Sequence, residues 1–160
     1  MEQIVPSLVV HGDCLIASGG NNSHTVVAIR PPKGDQPPET RWESTRGGTW
    51  VSSPVCLDGL LFSITKVGVL FCREVDSGNI IWSRRLRGSF LASLVAGAGK
   101  VYALNENGEM FVMAATRQEQ LLAENRLDED GVCAATPALA DGCLFVRTGK
   151  HLVCIGGIKP

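Results

Sequence analysis

One layout recurs four times along this 160-residue chain: a Ser/Thr-Pro-like entry, a short apolar strand, a glycine turn, a second strand, a polar turn and a third strand. The copies begin at Pro6-Ser7-Leu8-Val9-Val10, Ser53-Pro54-Val55-Cys56-Leu57, Ser93-Leu94-Val95-Ala96 and Thr136-Pro137-Ala138-Leu139-Ala140. Their turn glycines, Gly12, Gly59, Gly99 and Gly142, stand 47, 40 and 43 residues apart. A period of about 40 to 50 residues with several strands per copy is the range of a β-propeller blade. A unit of that size cannot bury its apolar faces alone, so the copies must stack on one another.

Within the second copy the pattern predicts strands over 54–57, 60–65, 69–74 and 79–86, separated by Asp58-Gly59, Gly68 and Asp76-Ser77-Gly78. Asp-Gly and Asn-Gly pairs supply the positive φ that tight hairpins need, and Asn107-Gly108 and Asp141-Gly142 repeat the device. The 18 glycines exceed an ordinary share of about 7%, and the turns account for the surplus. Runs such as Val69-Leu70-Phe71 are apolar throughout, as expected of strands buried on both faces. One stretch conflicts with the pattern: residues 114–127 are rich in helix formers, while the repeat demands a strand near 120–127. The long-range repeat outweighs local propensity, which is a weak prior, so a strand is expected there.

Composition excludes several functions. Fifteen Lys plus Arg against sixteen Asp plus Glu leave a net charge of −1, so no basic field is present to hold nucleic acid. No run of 18 apolar residues occurs, and the first residues lack the basic and apolar regions of a signal peptide. Gly97-Ala98-Gly99-Lys100-Val101 is only superficially a phosphate loop: Leu94 stands where glycine is needed and Val101 where Ser/Thr would reach Mg²⁺. It reads as a hairpin turn. G-x-S-x-G and H-E-x-x-H are absent, and Asp128-Glu129-Asp130-Gly131 lacks the downstream Glu of a calcium loop. His11, His24 and His151 lie far apart in sequence, without the further ligands a metal site requires. Cys14, Cys56, Cys72, Cys133, Cys143 and Cys154 include no C-x-x-C pair and sit in apolar stretches. They read first as small buried hydrophobes, with one disulfide and a metal site as the alternatives.

Cys72-Arg73-Glu74-Val75-Asp76-Ser77-Gly78-Asn79-Ile80-Ile81-Trp82 resembles the A-x-D-x-x-T-G-x-x-x-W motif of pyrroloquinoline-quinone-type (PQQ-like) propeller repeats. Cys72 stands for Ala, Glu74 for Asp and Ser77 for Thr, while Gly78 and Trp82 match. Together with Asp58-Gly59-Leu60-Leu61-Phe62 and the ending His151-Leu152-Val153-Cys154-Ile155-Gly156, the chain is similar to the last blades of the BamB-like group. The resemblance implies an all-β, partial β-propeller of about four blades of four-stranded antiparallel sheet, the last incomplete. It places Trp42, Glu74, Gly78 and Trp82 at blade-docking positions; the third copy has Ala123 where the Trp would be.

Residues 1–160 are therefore read as a single partial propeller, with units at about 1–50, 51–91, 92–134 and 135–160. Complete members have more blades, so the chain is expected to be the C-terminal part of a longer protein. Upstream chain would supply the missing blades, or a homodimer would close the ring. The resemblance implies a periplasmic or exported protein; a cytoplasmic one follows if Met1 is the native start. The expected function is non-enzymatic: a protein-binding or scaffold module in the bacterial envelope, without a cofactor, metal or membrane span. The rivals are a fragment of a quinoprotein dehydrogenase and a structural remnant. Quinoprotein dehydrogenases of this fold commonly carry adjacent cysteines over the cofactor, and no such pair occurs here. The expected binding surface is the loop set carrying Asn22, His24, Trp50, Lys66, Phe90, Asn105 and Lys150. For Trp50 and Phe90 packing between blades is the first reading, and anchoring a partner on this surface is the alternative.

Overall fold

The computed structural model describes residues 5–19, 24–127 and 131–156. Fifteen strands are found among them. Unit 1 comprises β1 (Val9–His11), β2 (Cys14–Gly19), β3 (Thr25–Arg30) and β4 (Glu39–Ser44). Unit 2 comprises β5 (Val55–Leu57), β6 (Leu60–Ile64), β7 (Val69–Glu74) and β8 (Ile80–Arg85). Unit 3 holds β9 (Val95–Gly97), β10 (Lys100–Leu104), β11 (Glu109–Ala114) and β12 (Leu121–Arg126), and unit 4 holds β13 (Ala138–Ala140), β14 (Cys143–Arg147) and β15 (Leu152–Gly156). Each unit is an antiparallel meander with its strands in sequence order. The described part of unit 4 has three strands rather than four.

The contested stretch is the strand β12, hydrogen-bonded to β11 with Val112 opposite Ala123. Pairing with β11 and packing against the next unit override its local helix preference. The first hairpins are tight two-residue turns: Asp58-Gly59, Ala98-Gly99 and Asp141-Gly142 place both central residues at positive φ. That is the hairpin geometry whose twist matches the strands. Ala98, at φ 50°, occupies a position better suited to Asn, Asp or Gly. The stretch that superficially looked like a phosphate loop is thus the β9–β10 hairpin.

A bulge recurs at one place in three units, between Ala28 and Ile29, Cys72 and Arg73, and Val112 and Met113. The extra residue on the outer strand is Arg41, Ile81 or Leu122. Bulges increase local twist, here at the same level of each sheet.

The core lies between units. Ile16, Val26 and Ala28 meet Leu61 and Val75 across the first interface. Leu60, Phe62, Leu70 and Cys72 meet Val101, Phe111 and Met113 across the second. Met110 and Val112 meet Leu144 and Val146 across the third. Because side chains alternate between sheet faces, two faces are left over. On unit 1 the leftover face carries Val10, Leu15, Ala17, Val27 and Ile29. On unit 4 it carries Cys143, Phe145, Leu152 and Cys154, at the register positions of Leu60, Phe62, Leu70 and Cys72. Phe62 is fully buried and Leu152 is 71% exposed.

The Ser/Thr at each unit entry links the units in series. Ser7 N–H donates to Ser53 Oγ at 2.9 Å, Ser53 N–H to Ser93 Oγ at 2.9 Å, and Ser93 N–H to Thr136 Oγ1 at 3.1 Å. A hydroxyl satisfies a backbone donor that has no ladder partner at the strand start. This explains why the four entries share a hydroxyl residue.

Candidate binding rim and blade-docking residues

The docking residues act between units. Trp42 Nε1–H donates to Val75 O at 2.7 Å, and Trp82 Nε1–H donates to Thr116 O at 3.1 Å. In both cases an indole from an outer strand reaches the last turn of the next unit, covering part of its ring and satisfying its N–H. Gly78 forms the seat for Trp42: it has φ 72°, and a Cβ there would lie 2.4 Å from Trp42 Cδ2. Glu74 accepts from Ser77 Oγ at 2.7 Å and from Arg117 Nη2 at 2.5 Å. The Arg117 guanidinium, then the Ser77 hydroxyl, hold its carboxyl below the usual carboxylate range. Glu74 thus shapes its own turn and ties unit 2 to unit 3.

Sequence reasoning missed Arg73, the largest fully buried side chain among the described residues. Its Nη2–H donates to Arg46 O at 2.5 Å and Nη1–H to Gly78 O at 3.2 Å, while Nε finds no partner among the described residues. The guanidinium also lies 5.9 Å from the Trp42 ring and 6.0 Å from Phe71. Burial, with Arg46 nearby, lowers its pKa from the ordinary arginine value. A charge held by carbonyls and ring faces rather than a carboxylate clamps unit 1 to unit 2. No sequence signal marks it, because an Arg in a strand ordinarily faces water.

One end of the arc carries the turns between second and third strands and the segments that enter the next unit. Backbone bonds join the two sets: Gly48 N–H to His24 O at 2.8 Å, Phe90 N–H to Lys66 O at 2.9 Å, and Cys133 N–H to Glu106 O at 3.0 Å. The rim is therefore built from pairs of clamped loops. Its accessible part centres on Trp50, half-buried, with Lys66 Nζ 4.4 Å from the ring centroid and Val67 57% exposed beside it. His24, at φ 47°, and Lys150 are also exposed on this end.

Asn105, expected on the surface, is not there, and Phe90 takes the packed position between units rather than the surface one. Phe90 is 1% exposed and packs on Phe111 with centroids 6.1 Å apart, so it belongs to the interface between units 2 and 3. Asn105 is fully buried: its Oδ1 accepts from Asn107 N–H and Glu109 N–H, and its Nδ2–H donates to Arg87 O. It shapes a turn rather than presenting a side chain. Asn22 and the acidic residues 128–130 lie outside the described residues. The cysteines divide likewise. Cys72 and Cys133 are buried, and burial pushes the Cys72 thiol up to about 12, but Cys154 is exposed and does not fit the core reading.

The third interface has no indole. A cleft of about 310 Å³ opens between units 3 and 4, lined by Tyr102, Met110, Val112, Leu139, Leu144 and Ile155. Ala123, cross-strand from Val112, packs beside the same cluster.

Stacked antiparallel meanders, joined by indoles and a series of hydroxyl hydrogen bonds, define a β-propeller segment of PQQ-like repeats. The family model described as outer membrane protein assembly factor BamB matches residues 22–128, and the chain belongs to this family. It is similar in structure to BamB from Moraxella catarrhalis, with TM-score 0.78 and 17% identity over 97% of this chain. It spans only 47% of that protein's length. The computationally designed Ika4 protein matches with TM-score 0.71 and 14% identity, over 93% of this chain and 88% of its own. A europium-containing methanol dehydrogenase matches with TM-score 0.64 and 12% identity, over 77% of this chain and 24% of its own. No curated protein sequence matches the chain. No helix long and apolar enough to cross a membrane occurs among the described residues.

Proposed function

We propose that this chain is a non-enzymatic binding or scaffold module of the bacterial envelope, working as an arc of a larger propeller. The observation that carries the reading is the clamped rim with Trp50, Lys66 and Val67 grouped on it. An accessible tryptophan, on loops that lose little freedom on binding, is the kind of side chain that dominates protein-binding hot spots. The partner is accordingly a protein. The two leftover apolar faces support the second half of the proposal, since further blades of the same kind would cover them, from upstream chain or from a second copy. Family membership supports placement outside the cytoplasm.

A photo-crosslinking amino acid at position 67, in cells making the protein, tests this reading. The expected result is discrete adducts with an exported protein, lost when Trp50→Ala and Lys66→Ala are combined. Absence of adducts at position 67 would contradict it. The competing reading, a piece of a quinoprotein dehydrogenase, shares the fold with the methanol dehydrogenase. It predicts quinone- and calcium-dependent dye reduction by the same protein, which the scaffold reading does not.

A further inference from the structure

We propose that Cys143 and Cys154 close into a disulfide that staples β14 to β15. Two observations converge on the pair. Cys143 is opposite Gly156 and Cys154 opposite Phe145, so the two cysteines are diagonal neighbours on one face of the hairpin. Gly156 leaves space over its backbone that Cys143 Sγ occupies: a Cβ on residue 156 would lie 2.4 Å from that sulfur. The Cys143 side chain thus leans across toward β15, the strand that carries Cys154. Both thiols are free in the structure, Cys143 half-buried and Cys154 exposed.

Bridging requires backbone separations of about 4.4–6.8 Å, a little less than the 7–8 Å of diagonal neighbours in a flat sheet. Among the described residues β15 has one strand neighbour, β14, so it is free to draw in. The other four cysteines lie elsewhere. Cys14 is on β2, Cys56 on β5 and Cys72 on β7, with Cys133 buried in the loop before unit 4.

The oxidant is a disulfide, either a small molecule or a disulfide-bearing oxidoreductase. The Cys154 thiolate attacks one of its sulfurs, forming a mixed disulfide and releasing one thiolate. The Cys143 thiolate then attacks the Cys154 sulfur and releases the second. Two thiols lose two protons and two electrons, and the oxidant becomes two thiols.

The test incubates the whole chain with oxidised glutathione, alkylates the remaining thiols and maps tryptic fragments by mass spectrometry. Arg147 and Lys150 lie between the two cysteines, so trypsin separates them unless they are bridged. The expected result is a joined pair of fragments lighter by two hydrogen atoms, with alkylation of Cys143 and Cys154 falling together by about tenfold. Cys133 shares a tryptic fragment with Cys143, so the joined species must persist in Cys133→Ala and vanish in Cys143→Ser and in Cys154→Ser. Full alkylation of both residues after oxidation would overturn the proposal. So would joining of Cys154 to Cys133 or to a second chain.

Discussion

The interface between units 2 and 3 and the interface between units 3 and 4 use the same strands in the same register, yet they are sealed differently. At the first, Trp82 covers Phe62 with ring centroids 6.0 Å apart and donates to Thr116 O, and Phe90 and Phe111 fill the rim end. At the second, Ala123 occupies the Trp position and a cleft of about 310 Å³ remains. Propeller stability is held between units rather than within them, so one side chain per interface decides how firmly neighbours are joined. The contrast extends to unit 4, where the equivalents of buried residues face outward.

The largest expected effect comes from one substitution made twice. Phe62→Ala, in the sealed interface, should destabilise the chain by about 3–5 kcal/mol. Phe145→Ala, at the same register position on the uncovered face, should cost below about 1.5 kcal/mol. Urea denaturation of both variants gives the comparison; equal losses would mean that the face of unit 4 is covered in solution. Next in size is Trp82→Ala, at about 2–3 kcal/mol, below the range of a fully buried Trp because this ring is half-exposed.

Ala123→Trp should do the reverse. An indole at that position would fill part of the cleft and raise stability by about 1 kcal/mol, read as an increase in the urea midpoint. A fall would show that the cleft is not the vacancy left by a missing Trp.

The smallest effect concerns the Glu74–Arg117 pair across the sealed interface. Arg117 lowers the Glu74 pKa, so the carboxylate contributes stability above the unfolded carboxylate pKa. That contribution fades as pH falls through the lower folded value. Glu74→Gln should therefore flatten the acid limb of the stability profile slightly, with no change near neutrality beyond a small constant offset. An unchanged acid limb would leave the pair without a role in joining the units.

Much of this was legible in the sequence for one physical reason: a repeat converts weak local signals into strong ones. The strand β12 was expected against its own composition because the other units required it, and two of the hairpins announced themselves as Asp-Gly pairs, Asp58-Gly59 and Asp141-Gly142. Trp42, Gly78 and Trp82 were legible as a motif, and the structure supplies the carbonyls that their positions serve. The shared Ser/Thr entries were visible too, but their hydrogen bonds connect residues 40 to 46 positions apart, which no local pattern reveals. Asn105 was misplaced for the same reason: it sits in a turn, and its bond to Arg87 O of the preceding unit is not visible in the local sequence. Arg73 was invisible because its partners are backbone carbonyls and ring faces, and any residue type can provide the former.

The three tryptophans allow a direct test of the stacked arrangement. In a ¹⁵N-edited hydrogen-exchange experiment the indole N–H groups of Trp42 and Trp82, bonded to Val75 and Thr116, should exchange slowly. Trp50, whose indole N–H has no partner among the described residues, should exchange rapidly. Equal and rapid exchange of all three would contradict an arc whose units are joined by hydrogen-bonded indoles.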